Sequence, residues 1–498
     1  MPLSVYDKKV MKMNWIVLFY FFVFCFICPF QAIGKDRPNV LFLCIDDLND
    51  WVGCLGGYPG SSHTPHIDQL ADEGVLFTRA YPSSPMCNPS RVALWTGKRA
   101  STTGCYGQYV QWNDTRVETT TLMQCFKNDG YQLIGGGKIF HHGKEVHDDP
   151  AFDDLRSFHS SGYPKNAKKS GKMRYGVTHY EDEQMHDHQL VDWCIERLEE
   201  TTEQPFFMVA GIFRPHAPHW VPQKYFDLYP IDEVVEPKIP VGEMKDIPSR
   251  GIKMADAENR YWPVKKSGKI KEVIQAYLAS ISFCDAQVGR LMNALRKSPH
   301  RDNTIVVLWS DHGFHLGEKQ HFAKSTLWEE SGRIPFIIHD PRSMIKGVQC
   351  GKPMDSVDIY PTLLDLCDIE APNDLDGISF KKLLADPVAE WKPAVMMLQR
   401  NNVAVRSERF RYIRYEDGGE ELYDHNEDGG EHTNLASHPE MLLVIKKLSS
   451  HIPKNWAVNG LPFPFHKGYI PPLIREEFEK TKLDRQEGWE APVRYKSK

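Results

Sequence analysis

Four apolar runs, each closed by a polar cluster, constrain this chain more than anything else in it. Asn39-Val40-Leu41-Phe42-Leu43-Cys44-Ile45 ends in Asp46-Asp47, and Tyr131-Gln132-Leu133-Ile134 leads to Gly137-Lys138-Ile139-Phe140-His141. Phe206-Phe207-Met208-Val209-Ala210-Gly211 leads to Arg214-Pro215-His216, and Thr304-Ile305-Val306-Val307-Leu308-Trp309 ends in Ser310-Asp311-His312-Gly313. Runs this short and this apolar predict strands covered on both faces. Helical patterns lie between them, as at His186 to Glu200 and Glu272 to Lys297. Strands alternating with helices predict an α/β fold, a mostly parallel central sheet flanked by helices. Ligands on such sheets sit outside the carboxyl ends of the strands. All four polar clusters fall there, so they are expected to form one site.

The pattern changes after residue 388. Val403-Ala404-Val405-Arg406 and Phe410-Arg411-Tyr412-Ile413-Arg414-Tyr415 alternate like antiparallel strands, Glu421 to Asp424 adds another, and Pro439 to His451 reads as helical. The chain therefore divides into a catalytic domain over 35–388 and a smaller C-terminal α+β subdomain over 389–498 with a Pro-rich tail. Ahead of both, Lys8, Lys9 and Lys12 precede an apolar run from Trp15 to Phe30. A basic flank before a short apolar stretch reads as a secretory signal, assigned to 1–34, and the run is short for a spanning helix. An uncleaved anchor is the alternative. A secreted or periplasmic protein with no stable membrane insertion after cleavage is expected.

A formal net charge of −6 over 498 residues offers no global basic field for nucleic acid. An anionic ligand would need locally grouped cations. Two segments are locally basic, Lys165 to Arg174 (Lys165, Lys168, Lys169, Lys172, Arg174) and Lys265 to Lys271. Such runs usually face water; the functional alternative is guidance of a polymeric anion. Beyond the signal no C-x-x-C pair occurs among the cysteines, which argues against a thiolate zinc site. An oxidising compartment would permit disulfides, without fixing their connectivity.

One cysteine stands apart. Cys87-Asn88-Pro89-Ser90-Arg91, continued by Leu94-Trp95-Thr96-Gly97, places a nucleophile just before a helix start. Pro89 suits a first helical turn, and the free amides there suit an anion. Arg91 adds a fixed charged fork for a sulfate or phosphate oxygen. A buried structural cysteine is the plain alternative. Asp46, Asp47, Asp311 and His312 form a plausible metal group, and three carboxylates favour a hard cation such as calcium or magnesium. An isolated Asp-Asp pair is more often a cap or a surface charge, but both pairs here follow apolar strands. Lys138 and Lys324 are candidate substrate cations. His141 and His216 are candidate proton-transfer groups, although many of the 21 histidines must be structural. His219, His315 and His321 stay unassigned, with a substrate-facing position open to them.

Together these segments resemble the type I, formylglycine-dependent sulfatases of the alkaline-phosphatase-like superfamily. The resemblance runs from Pro38 to about Ala436. It takes in Asp46-Asp47, Thr64-Pro65-His66-Ile67-Asp68, the Cys87 motif, Gly137-Lys138, Arg214-Pro215-His216 and Ser310-Asp311-His312-Gly313. Gly-Lys-x-Phe-His, Arg-Pro-His-x-Pro and Asp355 to Asp368 are similar to the iduronate-2-sulfatase-like branch. The resemblance implies that a maturation enzyme converts Cys87 to formylglycine, whose hydrate attacks sulfur. It implies calcium bound by Asp46, Asp47, Asp311, His312 and residue 87, with Arg91, Lys138 and Lys324 holding sulfate oxygens. His216 would protonate the departing alcohol, and His141 lies near the position of the group that later takes a proton. The expected function is removal of sulfate from a sulfated carbohydrate. A phosphodiester or phosphonate ester hydrolase and a non-catalytic sulfated-glycan-binding protein are the alternatives.

Overall fold

The structure, a computed structural model, describes residues 37–108, 110, 119–141, 151–158, 168–202 and 204–459. The expected signal, Lys165 and most of the tail fall outside these residues. The described residues from Pro38 onward belong to one unit.

The four apolar runs form adjacent strands of an eight-stranded sheet. Its strands are β1 (Asn39–Ile45), β2 (Val75–Phe77), β3 (Gln132–Gly137), β4 (Asp154–Arg156), β5 (Phe206–Ile212), β6 (Thr304–Ser310), β7 (Phe336–His339) and β8 (Val348–Cys350). The spatial order is β8-β2-β7-β6-β1-β5-β3-β4. β1 lies at the middle, parallel to β6 on one side and to β5 on the other. The parallel run continues through β3 to β4. β7 is antiparallel to both β6 and β2, so the sheet is mixed at that edge. Every residue of β1, β5 and β6 is buried, which is why their sequences lack polar alternation.

One face of the sheet is covered by α2 (His186–Glu199) and α4 (Ile270–Lys297), and α1 (Cys87–Thr96) lies on the other. Between α2 and α4 comes α3 (Trp262–Ser267), capped by Gly268 in the left-handed region. Both long helices lie within a residue or two of their predicted bounds. The C-terminal subdomain is a four-stranded antiparallel sheet over 394–424 followed by the helix Leu442–Ser449. Its pairing, Arg406 opposite Arg411 and Phe410 opposite Asp424, is the meander that the alternation predicts. Among the described residues no helix is long and apolar enough to cross a membrane. Cys44, Cys54, Cys125, Cys194, Cys284 and Cys350 are free thiols.

Candidate active site

The carboxyl ends of β1, β3, β5 and β6 bring the four polar clusters together. Asp46 and Asp47 follow β1, and Asp311 and His312 follow β6, the next strand over. Asp47 has φ 62°, in the left-handed region that costs a non-glycine residue free energy. Two bonds hold it there: its amide donates to Asp311 Oδ1 (3.0 Å), and Tyr277 Oη donates to its carbonyl (2.7 Å). Tyr277 lies in the apolar pattern of α4 and reads as core from sequence, so its part in the site was not legible there.

Lys138 is placed by two glycines. The Gly137 amide group sits at φ 74°, and a Cβ on it would lie 2.1 Å from the Gly211 carbonyl oxygen. A Cβ on Gly211 would lie 2.4 Å from the Lys138 backbone. Glycine at both positions lets β3 and β5 close up, and the Lys138 amide donates to Gly211 O at 2.8 Å. The Lys138 ammonium then pairs with Asp46 Oδ2.

Cys87 is the first residue of α1, not the residue before it, and Pro89 is the third. All ten residues of this helix are buried. The Cys87 thiol therefore meets the positive end of a helix inside the protein. Lys324 Nζ lies 2.9 Å from Cys87 Sγ and 2.5 Å from Asp47 Oδ1. His312 Nε2 lies 3.2 Å from the same sulfur. Burial opposes ionisation of Cys87, but Lys138 and Lys324 outweigh it and hold the thiol well below its usual range.

Arg91, expected to contact sulfate, is tied to protein acceptors. Its side chain is fully buried. Nε donates to Asp311 Oδ2 (2.9 Å) and Nη2 to Asp46 Oδ1 (3.3 Å). Nη1 is turned to Cys44 Sγ and to the carbonyls of Lys138 and Ile139. All three nitrogens thus serve protein acceptors beneath the site, and the fork fixes the two carboxylates to each other. Sequence spacing reveals that an arginine follows the cysteine by one helical turn, but not which way it points.

His216 forms part of the mouth, its side chain 25% exposed, with Nε2 3.9 Å from Asp47 Oδ2 and 4.0 Å from Asp46 Oδ2. Nδ1 donates to Ala217 O at 2.6 Å, which leaves Nε2 facing the site. Burial, together with Lys324 and Lys138, holds His216 well below its ordinary range. His141 lies against Gln108, whose Oε1 accepts from the Asn88 amide at 3.3 Å, next to Cys87. His219, His315 and His321 are fully buried, and Nδ1 of each lies within hydrogen-bond distance of a backbone carbonyl. His315 and His321 brace the 315–326 loop that carries Lys324.

The same residues fit a hard cation. Ligand atoms of Asp46, Cys87, Asp311 and His312 all lie within 4.8 Å of one another, as do those of Asp46, Asp47, Cys87 and His216. His312 Nδ1 donates to Gly313 O (2.9 Å), which leaves Nε2 directed at the carboxylates, 3.1 Å from Asp47 Oδ1, and able to ligate a cation once deprotonated. Burial, with the neighbouring Asp311, pushes Asp46 well above the usual carboxylate range despite Lys138. A divalent cation would relieve that crowding. A donor set dominated by carboxylate oxygen suits calcium or magnesium.

The C-terminal sheet supports the site from one side through residues that sequence alternation misses. Arg411 reads as a solvent-facing strand residue yet is fully buried. It donates to Leu327 O (3.0 Å), pairs with Glu329 and meets Glu431 at 2.7 Å. These bonds pin the 327–332 segment, where the Ser331 carbonyl accepts from Gly313 beside His312.

An activated nucleophile at a helix N-terminus, with cations at the mouth and carboxylates beneath, defines a hydrolase of anionic esters on an α/β sheet. A family model described as "Sulfatase" matches residues 38–369, and one described as "N-sulphoglucosamine sulphohydrolase, C-terminal" matches 317–457. The chain belongs to the sulfatase family and is a sulfuric ester hydrolase. It is 38% identical over 446 residues to a sulfatase of Formosa agariphila, covering 84% of this chain and 87% of that one. Human iduronate 2-sulfatase is 29% identical over 388 residues, covering 68% and 70%. The fold is shared with a 2-O GAG sulfatase (TM-score 0.66, 22% identity, 92% and 96% covered). It is shared equally with a phosphonate monoester hydrolase from Silicibacter pomeroyi (TM-score 0.67, 21% identity, 83% and 94% covered).

Proposed function

We propose that this chain removes sulfate from a sulfated carbohydrate, with residue 87 matured to formylglycine and calcium held by Asp46, Asp47, Asp311 and His312. The observation that carries the proposal is the convergence of Lys324 Nζ and His312 Nε2 on Cys87 Sγ, at 2.9 and 3.2 Å. Relatives named for sulfated sugars support the substrate class, among them iduronate 2-sulfatase and an N-acetylglucosamine-6-O-sulfatase of Bacteroides thetaiotaomicron. The basic and apolar N-terminus supports export, through a signal over 1–34, to a secreted or periplasmic location. The catalytic domain is taken as 35–388 and the C-terminal subdomain as 389–498.

Calcium, when bound, supplies Lewis-acid charge for the sulfate oxygens. A hydrated aldehyde at residue 87 supplies one hydroxyl to attack sulfur and a second to expel sulfate, which a thiol lacks. The chain's own residues do the rest. Lys138 and Lys324 line the mouth and neutralise sulfate oxygens as charge shifts. Arg91 holds Asp46 and Asp311 in register. His216 is assigned the proton transfer to the departing sugar oxygen through Nε2, which must first take up a proton because Nδ1 already donates to Ala217 O, and His141 accepts one in the later step.

The test is sulfate release by protein co-expressed with a formylglycine-generating enzyme, with conversion read by peptide mass over residues 81–99. Fully converted protein should hydrolyse an aryl sulfate and at least one sulfated oligosaccharide, and chelator should remove that activity until calcium is restored. Fully converted protein that prefers an aryl phosphonate ester, or that is indifferent to chelator, would overturn the corresponding part of the proposal.

A further inference from the structure

The two basic segments, nearly a hundred residues apart in sequence (Lys169 and Lys265, for instance), meet on the surface. Strands Lys168–Ser170 and Met173–Val177 form a hairpin around Gly171-Lys172. Its inner face is packed against the protein: Ser170, Met173 and Tyr175 are buried. Ser170 Oγ bonds Ser267 Oγ at 2.6 Å, at the end of α3. The hairpin is thereby seated on the helix that supplies Lys265 and Lys266.

The outer face is cationic. Lys169 and Arg174 are both exposed and stand directly opposite each other across the antiparallel pair. Like charges so placed repel and destabilise a hairpin. Nearby, Lys172 is answered by Asp256 (3.6 Å), Lys265 by Glu236 (4.0 Å) and Lys269 by Glu272 (2.6 Å). Among the described residues no carboxylate stands within ion-pair distance of Lys169, Arg174 or Lys266. A folded hairpin that keeps this repulsion, on a chain of net charge −6, retains an unanswered cationic face.

The place of this face gives it a use. The strand carrying Arg174 runs parallel to His219–Val221, with Tyr175 opposite His219, three residues beyond His216 at the mouth. On its other flank Lys172 pairs with Asp256, and the preceding Ala255 carbonyl is bonded by His321 Nδ1, whose Nε2 meets the Lys324 carbonyl. The cationic face therefore adjoins the loops of both His216 and Lys324.

We propose that Lys169, Arg174 and Lys266 form a docking surface for a sulfated polysaccharide, engaging sulfates on sugars beyond the one being hydrolysed. This rests on the carbohydrate-sulfate reading of the active site and adds that the substrate is polymeric. Two lysine point charges on flexible stems and one arginine fork suit a polyanion that presents sulfates at variable spacing, and a local cationic face raises its concentration at the mouth at low ionic strength.

The deciding experiment is retention on immobilised heparin, a readout that does not depend on turnover. A Lys169→Ser, Arg174→Ser, Lys266→Ser variant should elute at clearly lower salt than the unaltered chain, and its kcat/KM on a heparin-like polymer should fall about tenfold at low salt. Turnover of a small aryl sulfate should stay unchanged and the melting temperature should not fall, since the variant loses a repulsive cross-strand pair, which shows that the fold and the active site are intact. Unchanged heparin retention by the folded variant would overturn the docking surface while leaving the sulfatase assignment untouched. Equal retention on immobilised DNA and on heparin would also overturn it, since the face would then select charge alone and not a sulfated glycan.

Discussion

The Nε2 atom of His321 lies 3.0 Å from the carbonyl oxygen of Lys324, and its Nδ1 lies 2.5 Å from that of Ala255. Burial pushes His321 down to about 4, so the ring is neutral at pH 7 and donates to one of the two carbonyls. On the far side, the Ser325 amide donates to Pro85 O (3.2 Å), two residues before Cys87. Between these ties, Ala323 and Ser325 adopt φ 86° and 77° on either side of Lys324. Such backbone costs about 1–3 kcal/mol per residue and persists only where its surroundings enforce it. The Lys324 ammonium is aimed at residue 87 by a loop that is held, not relaxed.

Removing the tie should therefore misplace Lys324. His321→Ala is expected to lower kcat about tenfold or more with a smaller change in KM, because a misplaced charge costs transition-state stabilisation. His321→Gln, whose amide can still donate to one carbonyl, should recover part of that loss. Equal kcat for the two variants at equal melting temperature would show that the ring fills space and does not position the lysine.

Arg91→Lys removes the fork that joins Asp46 to Asp311 while keeping the charge. A single ammonium cannot serve Asp311, Asp46 and the Ile139 carbonyl together. Activity should fall at least a hundredfold, and the calcium concentration needed for half-maximal thermal stabilisation should rise. Calcium titration followed by melting temperature checks this; unchanged calcium dependence would mean that the carboxylates hold their register without Arg91.

His216 at the mouth predicts a leaving-group split. A sugar alkoxide needs a proton as it departs and an aryl oxide needs it much less. His216→Ala should reduce sugar-sulfate turnover far more than turnover of an activated aryl sulfate. Parallel kinetics on the two substrates measure this, and equal losses would assign His216 to binding or structure.

Asp285 gives a pH effect on stability away from the site. It accepts from the amides of His66 (3.0 Å) and Ile67 (2.8 Å) at the start of the helix Pro65–Glu73. Burial raises its carboxyl from 3.8 to about 7. A raised carboxyl means that the folded chain holds a proton which the unfolded chain has released, so stability falls as pH rises from about 4 to about 7. Asp285→Asn keeps an acceptor and removes the buried charge. It should melt a few degrees higher than the parent at pH 8, with the difference vanishing near pH 4. A difference that is the same at both pH values would show that Asp285 does not titrate between them.

The sequence by itself determined the sheet and the place of its site. Residues buried on both faces must be apolar throughout, so β1, β5 and β6 announced themselves, and the polar clusters closing them had nowhere to go but one edge. The Cys87 run and the Asp46-Asp47 and Asp311-His312 pairs were legible for the same reason. Only the tertiary structure decided which way Arg91 points, that Tyr277 and Arg411 belong to the support of the site, and that His315 and His321 brace a loop. It also brought Lys169 and Arg174 beside α3. Each of these depends on contacts between segments far apart in the chain, and side-chain direction across such contacts is set by packing, which leaves no local period to read.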